Sequence, residues 1–186
     1  MARPDRIVGL AIVSADGMIA NAAGIQPESL KLKADQRFFH ATLDAAAALV
    51  HGRNSAEGGP DMGRRRRLIL TRTVPALAPD PHTDKAVNWN PAGASLEEAW
   101  AALGLPNGGM LAVIGGTEPF GLFLEMGYDA FHLSRTSRAN LPGGRPVFPG
   151  IPPGSPEQLL AQHGLRADPS QVLDPAAGLS LTTWRR

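Results

Sequence analysis

With 186 residues, of which 43% are hydrophobic and 19% charged, the chain is long enough to bury one substantial core, so a single domain over residues 1–186 is expected. Its 18 Lys and Arg against 17 Asp and Glu leave a net charge of +1, which supplies no global field to draw it onto nucleic acid or an anionic membrane. The absence of cysteine excludes disulfides and thiolate metal sites, and the histidines are too dispersed for an HExxH or HxH grouping, so no metal is expected.

The first apolar run, Ile7 to Val13 (IVGLAIV), is continuous rather than alternating, which suits a central strand covered on both faces. It is too short for a signal peptide core or a membrane span, so a cytoplasmic protein is expected. Turn residues Ser14 to Gly17 interrupt it, Met18 to Ala20 resume it, and Asn21 to Lys33 reads as a mobile loop. From Lys33, Phe38, Phe39, Thr42, Leu43 and Ala46 recur with helical spacing, and Asp35 falls in the first turn, where the helix dipole favours a carboxylate. Ala47 to His51 is a second buried strand. It exits into Gly52-Arg53-Asn54-Ser55, a set of groups suited to phosphate oxygens because Arg donates in a fork and Ser donates an O–H.

Arg64 to Arg67 precede a third strand, Leu68 to Arg72. The run reads as a solvated strand entrance, with a pocket for an extra phosphate as the functional alternative. Val74 to Asp84 reads as loop from its three prolines, Ala86 to Trp89 as a fourth strand, and Ser95-x-x-Glu98 as a capping box that opens a helix ending at Gly104.

The stretch LAVIGGTEPFGLFLEMG, Leu111 to Gly127, reads as strand, Gly115-Gly116 turn, a capping threonine at 117 and a helix that buries Phe120, Phe123 and Leu124. Two glycines there allow close backbone approach to a bulky ligand, and the helix start offers unpaired N–H groups to an anion. Tyr128 to Ser134 is another strand, Leu141 to Pro153 a Gly/Pro-rich loop, Ser155 to Gly164 a capped helix, and three short antiparallel strands follow. The fold class is α/β: a mostly parallel central sheet, antiparallel C-terminal edge strands, and helices on both faces. Trp89, Trp100, Trp184, Met110 and Met126 read as packing residues, and His51 as a structural histidine.

Taken together, SADGMIA (14–20), Asp35 with Phe38 and Phe39, HGRNSAE (51–57), LILTR (68–72), VIGG (113–116), HLSR (132–135), VFPGI (147–151) and the terminal LTTWRR resemble, in order and spacing, the dihydrofolate reductase superfamily. That superfamily includes the reductase domain of riboflavin biosynthesis. The resemblance implies an oxidoreductase that transfers hydride from NADPH to a small heterocyclic substrate, a pterin first of all. Gly52, Arg53, Asn54 and Ser55 would start a helix under the cofactor phosphates. Leu70, Thr71 and Arg72 would hold the adenosine side, with Arg72 on the 2′-phosphate. Gly115 and Gly116, joined by a cis peptide, would take the pyrophosphate with Thr117 and Glu118.

Ile19 and Ile114 would flank the nicotinamide, and Phe120 stands where the family has a tyrosine near the reacting ring. Asp35 would pair with a ring N–H and exocyclic amine, Ser134 would hydrogen-bond that carboxylate, and Phe38 and Phe39 would line the substrate pocket. The loop before the first helix lacks the family's Pro-Trp pair and is longer, which shifts weight from dihydrofolate toward another pterin or a pyrimidine. Two alternatives stay open: the riboflavin-pathway reduction of a ribosylaminopyrimidine, for which the arginine run is the candidate sugar-phosphate site, and an NADPH-binding module without turnover. A homodimer is the one protein partner considered.

Overall fold

The computed structural model describes all 186 residues. Strands β1 (Arg6–Val13), β2 (Met18–Ala20), β3 (Ala48–Gly52), β4 (Arg67–Leu70), β5 (Leu77–Pro79), β6 (Ala86–Trp89), β7 (Met110–Val113) and β8 (Ala130–Thr136) are followed by β9 (Arg145–Pro146), β10 (Arg166–Ala167), β11 (Gln171–Asp174) and β12 (Leu179–Arg185). Four helices intervene: α1 (Lys33–Ala45), α2 (Leu96–Ala102), α3 (Thr117–Met126) and α4 (Pro156–Gln162). The main sheet runs β10-β12-β8-β1-β7-β3-β4-β6-β5, with β11 added on β12 and a separate β2-β9 pair. From β8 to β6 all neighbours are parallel; β5 and the C-terminal strands are antiparallel. The expected α/β architecture is thus the one observed, with β1 inside the sheet between β7 and β8.

Strand alternation divides the core in two. Val8, Leu10, Leu49, Ala112 and Ala130 face α1 through Leu43, while Val50, Leu68, Leu111, Val113 and Phe131 pack with Trp100, Phe120, Phe123 and Leu160 from the other three helices. Phe120 and Phe123 are 1% and 0% exposed, and burying each stabilises the fold by roughly 1.5–3 kcal/mol. Phe131 reaches its place because Gly9 has no side chain: a Cβ there would sit 2.3 Å from the Phe131 ring. Both Ser caps form as expected, Ser95 with Glu98 and Ser155 with Gln158.

Four local expectations are corrected. Leu77–Pro79 lies in the stretch read as loop and yet pairs with β6; its proline is tolerated because the strand is at the sheet edge and needs donors on one side only. The Gly/Pro-rich loop contains β9, which pairs with β2. The 21–33 segment is pinned by a 3-10 turn at Glu28–Leu30, whose Leu30 is 1% exposed among Ile12, Ala139 and Leu179. Met126 is exposed rather than filling a core gap. No helix is long and apolar enough to cross a membrane.

Candidate active site

Parallel strands β7, β3 and β4 are adjacent, so the segments leaving them at residues 114, 52 and 71 emerge side by side at one end of the sheet. The Gly52 N–H donates to the Gly115 carbonyl at 2.8 Å, which ties the first two exits together. Gly115 and Gly116 are joined by a cis peptide, as the resemblance implies. A Cβ on Gly116 would lie 3.1 Å from Ser55 Oγ, so glycine keeps this surface open for close backbone approach.

Two concave spaces meet here, both lined by Asn54. The first, about 240 Å³, is lined by Ile19, Ser55, Ile114, Gly115, Gly116 and Phe120 together with Asp35, Phe38, Phe39 and Ser134. The second, about 700 Å³, is lined by Gly52, Arg53, Leu70, Thr71, Arg72 and Glu118. Every residue expected at the site borders one of them except Thr117. The N-cap of α3 is Gly116, and the Thr117 hydroxyl donates instead to the Pro146 carbonyl. Phe120 borders the first space from within the core, stacked edge-on to Phe131 and Phe148.

Asp35 sits in the first turn of α1 but is only 8% exposed, so it is more than a dipole-pairing surface charge. Burial raises its pKa above the ordinary carboxylate value, and the Ser134 hydroxyl opposes that rise by donating to the charged form. β8 supplies Ser134 and, two residues earlier on the same face, His132, which also borders the cavity. His132 Nδ1 bonds Thr183 Oγ1 at 2.9 Å and its ring meets Phe38 edge-on at 5.1 Å. Burial, then the nearby charges of Arg185 and Arg6, bring its pKa down to about 4. The role of His132 was not read from the sequence, although its period-two spacing from Ser134 was the available signal.

The segment after β3 is corrected twice. Gly52 to Ser55 starts no helix; residues 53–58 are turn and coil, so α3 alone brings a helix N-terminus to these exits. The arginine run is a solvated entrance only at Arg64, and each of its guanidiniums has a protein partner. Arg64 pairs with Asp61 at 2.6 Å, Arg65 with Asp44 at 2.6 Å, and Arg66 donates to the Leu103 carbonyl.

Arg67 is 6% exposed. Its Nη1 donates to Glu57 Oε2 (2.7 Å) and His51 Nε2 (3.0 Å), and its Nη2 donates to Glu57 Oε1 (2.6 Å) and the Met62 carbonyl. His51 Nδ1 then donates to the Gly52 carbonyl at 2.7 Å, which makes this histidine structural, as expected. Its pKa is lowered, chiefly by burial. Glu57, whose side chain is fully enclosed, borders the first space. Burial acts to raise its pKa, but Arg67 bonding outweighs this and lowers it.

The second space is bordered by Gly52 and Gly121, by Glu118 and Pro119 of the first turn of α3, and by the exposed cations Arg53 and Arg72, a donor set that suits phosphate oxygens. The Gly115-Gly116 pair, expected on the pyrophosphate, borders the first space instead. Arg72 is engaged with Glu118 at 2.6 Å, but that pair is exposed and cheap to exchange. No cluster of metal-ligating side chains is present.

No protein-family model matches the chain, and no curated protein matches it in sequence. Solved structures do. A protein assigned to riboflavin biosynthesis from Shewanella sp. PV-4 aligns with a TM-score of 0.68 at 21% identity, over 97% of this chain and 98% of its own. Dihydrofolate reductase from Enterococcus faecalis, solved with NADP(H) and RAB-propyl, gives 0.63 at 18% identity, over 100% and 99%. A diaminohydroxyphosphoribosylaminopyrimidine deaminase/5-amino-6-(5-phosphoribosylamino)uracil reductase from Thermotoga maritima gives 0.63 at 16%, over 98% of this chain and 56% of that one. Strand order, the glycine pair and these alignments agree: the chain has the dihydrofolate-reductase-like fold.

Proposed function

We propose that the protein is an NADPH-dependent reductase that transfers a hydride to a pterin-type heterocycle. The observation that carries this reading is the buried Asp35 in a cavity that meets a dinucleotide-sized cleft across Asn54 and borders the Gly115-Gly116 turn. Bound in that cleft, the cofactor supplies the hydride. Arg53, Thr71 and Arg72 hold its phosphates and adenosine, and Ile19 and Ile114 pack against its nicotinamide. Asp35 accepts two parallel N–H donors from the heterocycle and stabilises positive charge that develops on the ring during reduction. Ser134 keeps that carboxylate oriented, and the apolar walls of Phe38 and Phe39 exclude water and strengthen the interaction.

The test is consumption of NADPH, followed by absorbance, when purified protein is offered 7,8-dihydropterins. Replacing Asp35 with Asn is expected to lower kcat/KM about 100-fold or more. It should also remove an acidic limb of the pH profile that lies above the ordinary carboxylate value. Unchanged turnover and an unchanged profile in D35N would sink the assigned role. The riboflavin-pathway alternative stays open: all four arginines of its candidate phosphate site have protein partners, but the Arg64–Asp61 pair is exposed and exchanges as cheaply as Arg72–Glu118. A binding module without turnover would hold NADPH and oxidise it with no heterocycle.

A further inference from the structure

The substrate-side cavity holds a carboxylate but no cation of its own. Its 23 lining residues include Asp35 and Glu57 and not one Lys or Arg. The nearest buried guanidinium, Arg67, spends its Nη donors on Glu57, His51 and the Met62 carbonyl, so Glu57 is neutralised within the protein and all four Arg67 Nη–H groups are committed. His132, the buried base on the wall, has a pKa near 4 and is neutral at physiological pH. His40 lies at the exposed edge, and Arg37 and Arg145 are exposed and outside the lining. The remaining polar residues of the lining, the exposed Gln26, Gln36 and Asn54 and the more enclosed Ser55 and Ser134, are neutral. The one uncompensated charge is that of Asp35.

The volume points the same way. About 240 Å³ falls below the roughly 300–1,000 Å³ of pockets that hold drug-sized ligands, and part of it is bordered by Ile19, Ile114 and the glycine pair, where the nicotinamide belongs. What is left takes one flat ring system and a short substituent.

Building on the reductase reading, we infer that the substrate is an uncharged heterocycle without an anionic tail: neither a glutamate-conjugated pterin nor a phosphorylated ribosylaminopyrimidine. An anion entering this cavity exchanges its hydration for neutral groups and faces a like charge, with no guanidinium or ammonium in the lining to receive it; Arg145 reaches only the exposed rim beside Gly24. A neutral ring that offers an amine and a ring N–H meets Asp35 without that penalty.

A matched ligand pair isolates the charge. The full-length protein, alone and saturated with NADPH, is titrated calorimetrically with 6-hydroxymethylpterin and with 6-carboxypterin. These share the ring and differ in an uncharged hydroxymethyl against a carboxylate. The hydroxymethyl compound is expected to bind at least about tenfold more tightly, one decade being about 1.4 kcal/mol, and the gap should narrow as salt is raised. Equal or tighter binding of the carboxylate, or failure of both to bind, overturns the inference. The dihydro forms are then assayed for NADPH oxidation. A preserved binding preference with no oxidation defeats the reductase reading alone, whereas oxidation with a preference for the carboxylate defeats the inference alone.

Discussion

Removing the charge of Glu57 should destabilise the fold by stranding a buried guanidinium beside the first cleft. The Arg67 guanidinium is 6% exposed and the Glu57 side chain is fully enclosed, with two parallel hydrogen bonds of 2.6 and 2.7 Å between them. Such a pair contributes little net stability relative to an apolar replacement, but breaking it from one side strands a buried charge at a cost of about 3–5 kcal/mol.

For a chain of this length each kcal/mol moves Tm by about 2–4 °C, so E57L is expected to melt about 6–20 °C lower. The shared partners, His51 and the Met62 carbonyl, do not replace a carboxylate. R67M alone should likewise destabilise, by leaving Glu57 uncompensated. The double variant E57L/R67M fills the same space without charge, and should recover most of the loss. Urea denaturation of the wild type, both single variants and the double variant closes the cycle. The reasoning fails if E57L costs less than about 1 kcal/mol, or if the double variant loses the sum of the two single losses.

Three further outcomes follow from the geometry. His132 has a folded pKa near 4 against an ordinary 6.5, so between those values the unfolded state binds more protons and stability rises with pH. The full difference, about 3 kcal/mol before solvent screening is allowed for, is present above pH 6.5 and gone below pH 4. H132N should flatten chemical-denaturation stability across that window, and an unaltered slope would refute the assignment. R72A removes an exposed cation from the second cleft, the proposed cofactor site. KM for NADPH should rise about tenfold with kcat and the KM for NADH little changed, and equal effects on both cofactors would refute a 2′-phosphate role. G9A drives a methyl group into the Phe131 ring and is expected to cost about 1–3 kcal/mol by thermal denaturation. A variant as stable as the wild type would show that the aromatic cluster relaxes at no cost.

The sequence alone determined the parts that rest on local pattern. Continuous apolar runs marked the buried parallel strands, since such strands are covered on both faces. Ser95 and Ser155 announced their helices because capping is settled within four residues, and Gly115-Gly116 declared a turn that only glycine leaves open. The expected site residues came mostly from the family resemblance those segments carry together, and all but Thr117 border the paired clefts. Only the tertiary structure decided what distant chain segments do to one another's charges. Arg67 looked solvated because its partners, Glu57 and His51, lie 10 and 16 residues away on another strand and its exit loop. Leu77–Pro79 became a strand because β6 offered it an edge. Asp35, placed by the sequence in the first turn of a helix, is a buried carboxylate because β8 brings Ser134 and His132 to the same cavity. Periodicity and capping are local properties of a chain, whereas desolvation and ion pairing depend on which surfaces meet, and that is fixed only when the sheet is assembled.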